Sequence, residues 1–173
     1  MTEDKSGSVD VRLRDRRRRA KRSGQLWRHL RAAMRLVLRH PLPSVVVVPI
    51  RSDGTVVLVR RVDTDRWVLP GGLIDWGETV EEAARRELQE ETGFEVARVG
   101  RLVGVYSWPE RDPRSHSIAI AIAADVRGNA EIGDPLEISE IHAFTQDTLP
   151  FGYMSYGTET MLRDCLENRT VVA

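Results

Sequence analysis

The chain has 173 residues, 41% apolar and 30% charged, which is ordinary for a globular protein and enough for one well-cored domain with an appendage. Its single cysteine, Cys165, excludes an intrachain disulfide framework and a cysteine-based zinc site. The net charge of zero conceals a division: residues 1–40 hold 13 Lys/Arg against 4 Asp/Glu, and the remainder holds 13 against 22. A basic arm over 1–40 and an acidic domain over 41–173 are therefore expected, each with its own reading.

In chain order, residues 1–10 are polar and read as disordered. A basic block follows over 12–22. Residues 25–39 read as an amphipathic helix: Leu26, Leu30, Ala33, Met34 and Val37 recur at helical spacing, with Arg28, Arg31, Arg35 and Arg39 opposite. Pro41 and Pro43 end it. No apolar run approaches the roughly 18 residues of a membrane span, and no apolar h-region with a cleavage site follows the basic start. A cytoplasmic protein is expected.

The acidic domain opens with a buried strand over 44–50. Asp53-Gly54 marks a turn, which makes 55–62 its expected hairpin partner. Trp67 leads into the glycines 71 and 72 and is expected to pack beneath that loop. A helix follows over 80–92. Thr79 and Glu82 have capping-box spacing at its start, and Gly93 stops it. Strands are expected over 98–107, 116–126 and 140–144, and a last helix over 158–167. The connection 108–115 is polar and punctuated by proline.

The central helix carries the chemistry. At about 100° per residue, Ala83, Ala84 and Leu88 define its core-facing arc. Glu87 and Glu91 fall inside that arc and Glu90 on its edge, while Glu81, Glu82, Arg85 and Gln89 face solvent. A solvated acidic face accounts for Glu81 and Glu82 but not for Glu87 and Glu91. Two carboxylates one turn apart, about 6 Å, repel by roughly 3 kcal/mol at an effective dielectric of about 20. Arg86 can pair with Glu90 or Glu82, but one arginine cannot neutralise all these carboxylates. A hard divalent cation can offset the rest. Mg²⁺ takes oxygen ligands, keeps several waters and is shared with substrate phosphates. Glu87, Glu90 and Glu91 project towards one point, and the glycine loop permits a carbonyl near Gly71 to join them.

These residues complete a pattern: Gly72, five residues, Glu78, seven residues, then Arg86-Glu87-Leu88-x-Glu90-Glu91-x-Gly93-Phe94. It resembles the whole Nudix box, and the resemblance extends over about 43–168. It implies an α/β fold, an α/β/α sandwich around a mixed sheet, here preceded by the basic helical arm. It implies hydrolysis of a nucleoside diphosphate linked to another moiety. Glu87, Glu90 and Glu91 would then be metal ligands, with the Gly71 carbonyl, for Mg²⁺ or in its place Mn²⁺. Arg86 would orient the carboxylates and Glu78 would support the loop. Gly72 and Gly93 would allow its turns. The general base would be a box glutamate or a later acidic residue; Glu137 is a candidate base or extra ligand, with a solvated loop charge as the competing role.

The segment 105–126 bears on the substrate. Asp112, Pro113, Arg114 and His116 resemble the DPRGHT pattern of a group of ADP-ribose pyrophosphatases, with Ser115 in place of glycine and Trp108 where an acidic residue is common. Arg111 or Arg114 would clamp phosphate or ribose and Trp108 would stack on a base, with His116 beside them. Loop salt bridges and half-buried packing are the competing roles. The reading is ADP-ribose hydrolysis to AMP and ribose 5-phosphate. The alternatives are a (d)NTP pyrophosphohydrolase that sanitises the nucleotide pool and a non-catalytic nucleotide-binding module.

The arm over 1–40 reads as a helix that docks on its own domain or on a homodimer partner. Nucleic-acid or membrane contact through 12–39 is the less favoured reading, because aromatic residues are few and no nucleic-acid motif is present. Deleting 1–40 is expected to leave catalysis largely intact; a folded truncation without activity would overturn this.

Overall fold

The computed structural model describes residues 40–112 and 115–173. The predicted helix over 25–39 and the basic block lie outside these residues, as do Pro113 and Arg114. Eight strands and two helices follow in the order β1 (Leu42–Ile50), β2 (Val56–Arg61), β3 (Trp67–Val68), β4 (Gly71–Leu73), α1 (Val80–Thr92), β5 (Glu95–Tyr106), β6 (Ser117–Arg127), β7 (Ile138–Phe144), α2 (Thr158–Leu166) and β8 (Val171–Val172).

The strands form one mixed sheet, ordered β3-β2-β1-β6-β5-β8, with β4 joined to β1 and β7 to β2. β1 runs parallel to β6 along its whole length, from Leu42 opposite Ser117 to Ile50 opposite Asp125. The period of two sorts their side chains between two cores. Val45, Val47, Val57, Ile122, Ala124 and Val126 meet Ala83, Ala84 and Leu88 of α1 on one face. Val48, Val56, Leu58, Ala119, Ala121 and Ala123 meet Met161 and Leu162 of α2 on the other. Helices thus cover both faces, as expected for an α/β/α sandwich.

The turn at Asp53-Gly54 forms, with Asp53 accepting from the Thr55 amide at 3.1 Å. The hairpin does not extend beyond it: β1 and β2 pair only at Ile50 and Val56. β1 is occupied instead by β6 on one edge and by β4 on the other, where Ser44, Val45 and Val46 oppose Leu73, Gly72 and Gly71. β3, β4 and β8 are additional to the expected strands. Each is only two or three residues long, too short for a periodic signal.

The capping box predicted for α1 is complete. The Thr79 hydroxyl accepts from the Glu82 amide, and the Glu82 carboxylate accepts from the Thr79 amide at 2.8 Å. Gly93 is left-handed at φ 73° and returns its N–H to the Gln89 carbonyl. At the other end of the loop, Gly71 has φ 154°, and a Cβ there would stand 2.2 Å from the Val45 carbonyl oxygen. That oxygen belongs to the central strand and has no room to yield.

Gly71→Ala is expected to destabilise the protein by about 2–4 kcal/mol, because backbone rather than a side chain must move. Urea unfolding checks this; a change under about 0.5 kcal/mol would show that β4 shifts freely.

Candidate active site

α1 starts at its capping box and carries Glu87 and Glu91 beneath the glycine pair. The Gly71 amide donates to Glu91 Oε2 at 2.9 Å. Gly72 presses on the other carboxylate: a Cβ at this position would lie 2.4 Å from Glu87 Oε1. The loop before them is pinned from two sides. Val47 N–H donates to the Pro70 carbonyl at 2.9 Å, and the Leu69 amide donates to Thr158 Oγ1 at the start of α2 at 3.2 Å.

Arg86 binds three carboxylates and one carbonyl. It donates to Glu78 at 2.7 and 2.8 Å, to Glu87 at 2.6 Å, to Glu90 at 3.4 Å and to the Leu73 carbonyl at 3.0 Å. Glu78 also accepts from the Asp75 amide at 2.9 Å. Glu82, the other partner expected for Arg86, is spent on the helix cap. The Glu78 and Glu87 hydrogen bonds raise the Arg86 pKa above its ordinary value. Arg86, then the Asp75 amide, pull the Glu78 carboxyl down to about 2.

Burial separates the three expected ligands. The Glu87 side chain is 14% exposed and the Glu90 side chain 62%. Burial raises the Glu87 carboxyl above the usual range, against the pull of Arg86. Burial pushes the Glu91 carboxyl up to about 8, opposed by the Gly71 hydrogen bond and reinforced by the Glu87 charge.

Glu87, Glu91, Gly71 and Gly72 line one end of a cleft of about 530 Å³. Small-molecule sites are typically about 300–1,000 Å³. Glu137, in the loop before β7, lines the same cleft, together with Arg61, Arg111, Asp112 and Ser115. The structure thus brings Glu87, Glu91, Glu137, Gly71, Gly72 and Arg111 of the sequence-predicted residues to one surface. Glu78, Arg86 and Glu90 lie behind or beside it, and Gly93 shapes only the helix end. Arg114 lies outside the described residues.

Trp108 and His116 are not among the lining residues. The Trp108 ring stands edge-on to Tyr106, 5.6 Å away, and packs against the α2-side core. His116 Nε2 lies 2.8 Å from the Ser107 carbonyl, a contact that ties the end of β5 to the start of β6. Arg111 is buried and donates to the Tyr156 carbonyl at 3.1 Å and to the Ser117 hydroxyl. Four lining residues had no signal in the sequence: Arg61, Ser117, Tyr156 and Thr158. Arg61 and Ser117 come from strands, and Tyr156 and Thr158 from the turn before α2 and its first residue, all remote from the box in sequence.

The carboxylates are hard oxygen donors beside a glycine backbone, and the Glu91 pKa marks a buried group short of positive charge. These features fit a divalent cation. Among the described residues no three acidic, histidine or cysteine side chains close into a cage by themselves. The arrangement is an open row, the kind of site in which waters and substrate oxygens complete a Mg²⁺ shell.

A sequence model of the NUDIX domain matches residues 40–165. The chain is a Nudix hydrolase. A relative named ADP-ribose pyrophosphatase, from Methanocaldococcus jannaschii, is 38% identical over 129 residues, covering 72% of this chain and 73% of the relative. A Bacillus subtilis protein named putative 8-oxo-dGTP diphosphatase is 33% identical over 104 residues, 60% of this chain and 66% of its own length. The crystal structure of a MutT NUDIX hydrolase from Burkholderia pseudomallei superposes with a TM-score of 0.64 at 28% identity, covering 73% of this chain and 98% of that one. The Nudix hydrolase described here is therefore a pyrophosphohydrolase acting on a phosphoanhydride, and its family uses divalent metal ions and nucleoside diphosphate substrates. No helix among the described residues is long and apolar enough to cross a membrane.

The Glu91 carboxyl has a sign that melting can read. Its ordinary value is 4.5 and its folded value about 8. Between these the unfolded chain gives up its proton first, so this group costs stability as pH rises through that window. The cost is absent below about 4.5 and complete above about 8. Without divalent metal, Glu91→Gln is expected to raise Tm by at least ~3 °C at pH 8, corresponding to about 1 kcal/mol, and by little at pH 5. An equal gain at both pH values would overturn this.

Proposed function

We propose that this Nudix hydrolase cleaves ADP-ribose to AMP and ribose 5-phosphate with Mg²⁺. The observation that carries the reading is the continuity of the cleft. It runs from the carboxylates of α1 to Arg111, Asp112 and Ser115, the segment that resembles the ADP-ribose pyrophosphatase pattern. The M. jannaschii relative, matched across the same segment, supports it.

The reaction is substitution at phosphorus by water. Oxygen of water forms a bond to one phosphorus of the diphosphate. The bridging P–O bond breaks, and the bridging oxygen leaves on the other phosphate. Glu87, Glu90 and Glu91, with the Gly71 carbonyl, would hold Mg²⁺, which when bound supplies charge neutralisation on the phosphates and acidifies a water. Glu90 reaches the cleft only by leaving its long contact with Arg86. Glu137 accepts the proton from the attacking water. Arg86 keeps Glu87 charged and in place, and Glu78 fixes Arg86. Arg111, buried against Tyr156 and Ser117, presents a planar cation to the far end of the ligand.

The B. subtilis relative favours a second reading, release of pyrophosphate from a (d)NTP, by the same bond chemistry. Product identification separates the two. With Mg²⁺ and a panel of ADP-ribose, NADH, a dinucleoside polyphosphate, dGTP and 8-oxo-dGTP, ADP-ribose is expected to turn over fastest and to give AMP and ribose 5-phosphate. Pyrophosphate from dGTP or 8-oxo-dGTP as the dominant product would replace the substrate assignment. Glu90→Gln is expected to remain folded and to lose at least ~10²-fold in kcat; a near-normal rate at saturating Mg²⁺ would remove Glu90 from the ligand set.

A further inference from the structure

Arg61 ends β2, a position to which the sequence analysis gave no role. Alternation puts it on the face of Val57 and Val59, while Arg60 turns to the other face, over the Trp67 ring. Its side chain is only 13% exposed. One edge of the guanidinium is taken by Asp63, through Nε to Oδ1 at 3.1 Å and Nη2 to Oδ2 at 3.3 Å. The remaining nitrogen, Nη1, donates to Glu137 Oε2 at 2.8 Å.

The backbone repeats this connection. Between Arg60 and Arg61 the register with β7 shifts, so that Arg60 opposes Glu140 and Arg61 opposes Ile138. Such an irregularity re-aims what lies beyond it. Beyond it, Val62 N–H donates to the Glu137 carbonyl at 2.8 Å. The Glu137 turn is closed from its other side by Asp134, whose carbonyl accepts from the Ile138 amide at 2.9 Å and whose carboxylate accepts from the Leu136 amide at 2.8 Å. Backbone bonds thus fix where residue 137 sits, and the hydrogen bond from Arg61 fixes where its carboxylate points.

We propose that Arg61 is the positioning residue for Glu137: braced by Asp63, it holds the Glu137 carboxylate on the wall of the cleft that Glu91 lines. The inference rests on Glu137 as the proton acceptor. An arginine suits this task because its fork binds two carboxylates at once, with the one on Asp63 setting its plane. A flexible glutamate in an exposed loop would otherwise lose rotamer entropy each time it reached the attacking water. The brace makes that ordering part of folding.

The test is steady-state kinetics of the full chain with Mg²⁺ and the nucleoside diphosphate it turns over fastest, ADP-ribose by the reading above. The variants are Arg61→Ala, Arg61→Lys, Glu137→Gln and the Arg61→Ala/Glu137→Gln pair, each first shown to be folded by its cooperative melt. Glu137→Gln is expected to lower kcat by ~10²–10⁴-fold. Arg61→Ala is expected to lower kcat by about 10–100-fold with KM within about threefold, and Arg61→Lys by less, since lysine keeps the charge but not the fork. In the Glu137→Gln background Arg61→Ala is expected to cost no further kcat, because the residue it positions is gone. A raised KM with unchanged kcat would make Arg61 a substrate contact and overturn the inference. So would an equal loss of kcat in both backgrounds. Normal turnover by Glu137→Gln would sink the base assignment itself, an outcome distinct from failure at Arg61.

Discussion

Everything in the site follows from one enforced proximity: two carboxylates of α1 lie against the backbone of a three-residue strand. β4 approaches closely because it consists of glycines where side chains would collide, with the Val45 carbonyl at Gly71 and the Glu87 carboxylate at Gly72. In return, the Gly71 amide binds Glu91. Any side chain at these positions would lift the strand and open the floor of the cleft. The close approach also removes water from Glu91, which is why its carboxyl resists ionisation.

Arg86 answers part of that charge problem. One guanidinium serves Glu78, Glu87 and Glu90, and it also fastens the loop through the Leu73 carbonyl. Its plane is therefore set by contacts on several sides, and the Glu87 carboxylate inherits that orientation. Glu91 receives no comparable partner. Its hydrogen bond is to a neutral amide, and nearby Glu87 works against its ionisation. The folded protein thus keeps a deficit of positive charge at the position where a phosphate-bound cation would be useful. A stability-optimised sequence would remove this deficit; a hydrolase retains it.

How much of this the sequence disclosed depends on how local the cause was. α1 was legible to the residue, Val80–Thr92, because its cap residues Thr79, Glu82 and Gly93 act within one turn of the helix ends. The carboxylate face was legible for the same reason. The Asp53-Gly54 turn was read correctly, but the hairpin inferred from it stops at one pair, because β6 and β4 compete for the edges of β1 from far along the chain. β4 carries no strand signal of its own, being built from residues of low strand propensity. Trp67 packs against the core cluster that holds Leu69, next to the glycine loop. It meets Phe144 edge-on at 5.0 Å, a strand that the sequence placed but whose neighbour it did not. Trp108 had two readings, stacking platform or packing residue, and its ring lies against Tyr106.

The two ends of the cleft differ in how they are built, and this bears on what each can vary. The carboxylate end stands on a capped helix, a glycine strand and a shared arginine. The opposite end is assembled from Arg111, Asp112 and Ser115, the turn before α2 and the loop before β7. There, order comes from buried arginines instead: Arg111 bridges Tyr156 and Ser117, and Arg61 bridges Asp63 and Glu137. An arginine fork can rigidify a loop without dictating the loop's length or sequence, because it binds carbonyls and carboxylates wherever they are presented. Loop change at this end can therefore alter which nucleoside diphosphate fits while the bond-breaking end stays as it is. For that division to work, a proton acceptor on the loop before β7, as proposed for Glu137, must be referred to the rigid sheet and not to its own loop. The contact between Arg61, at the end of β2, and Glu137 supplies that reference.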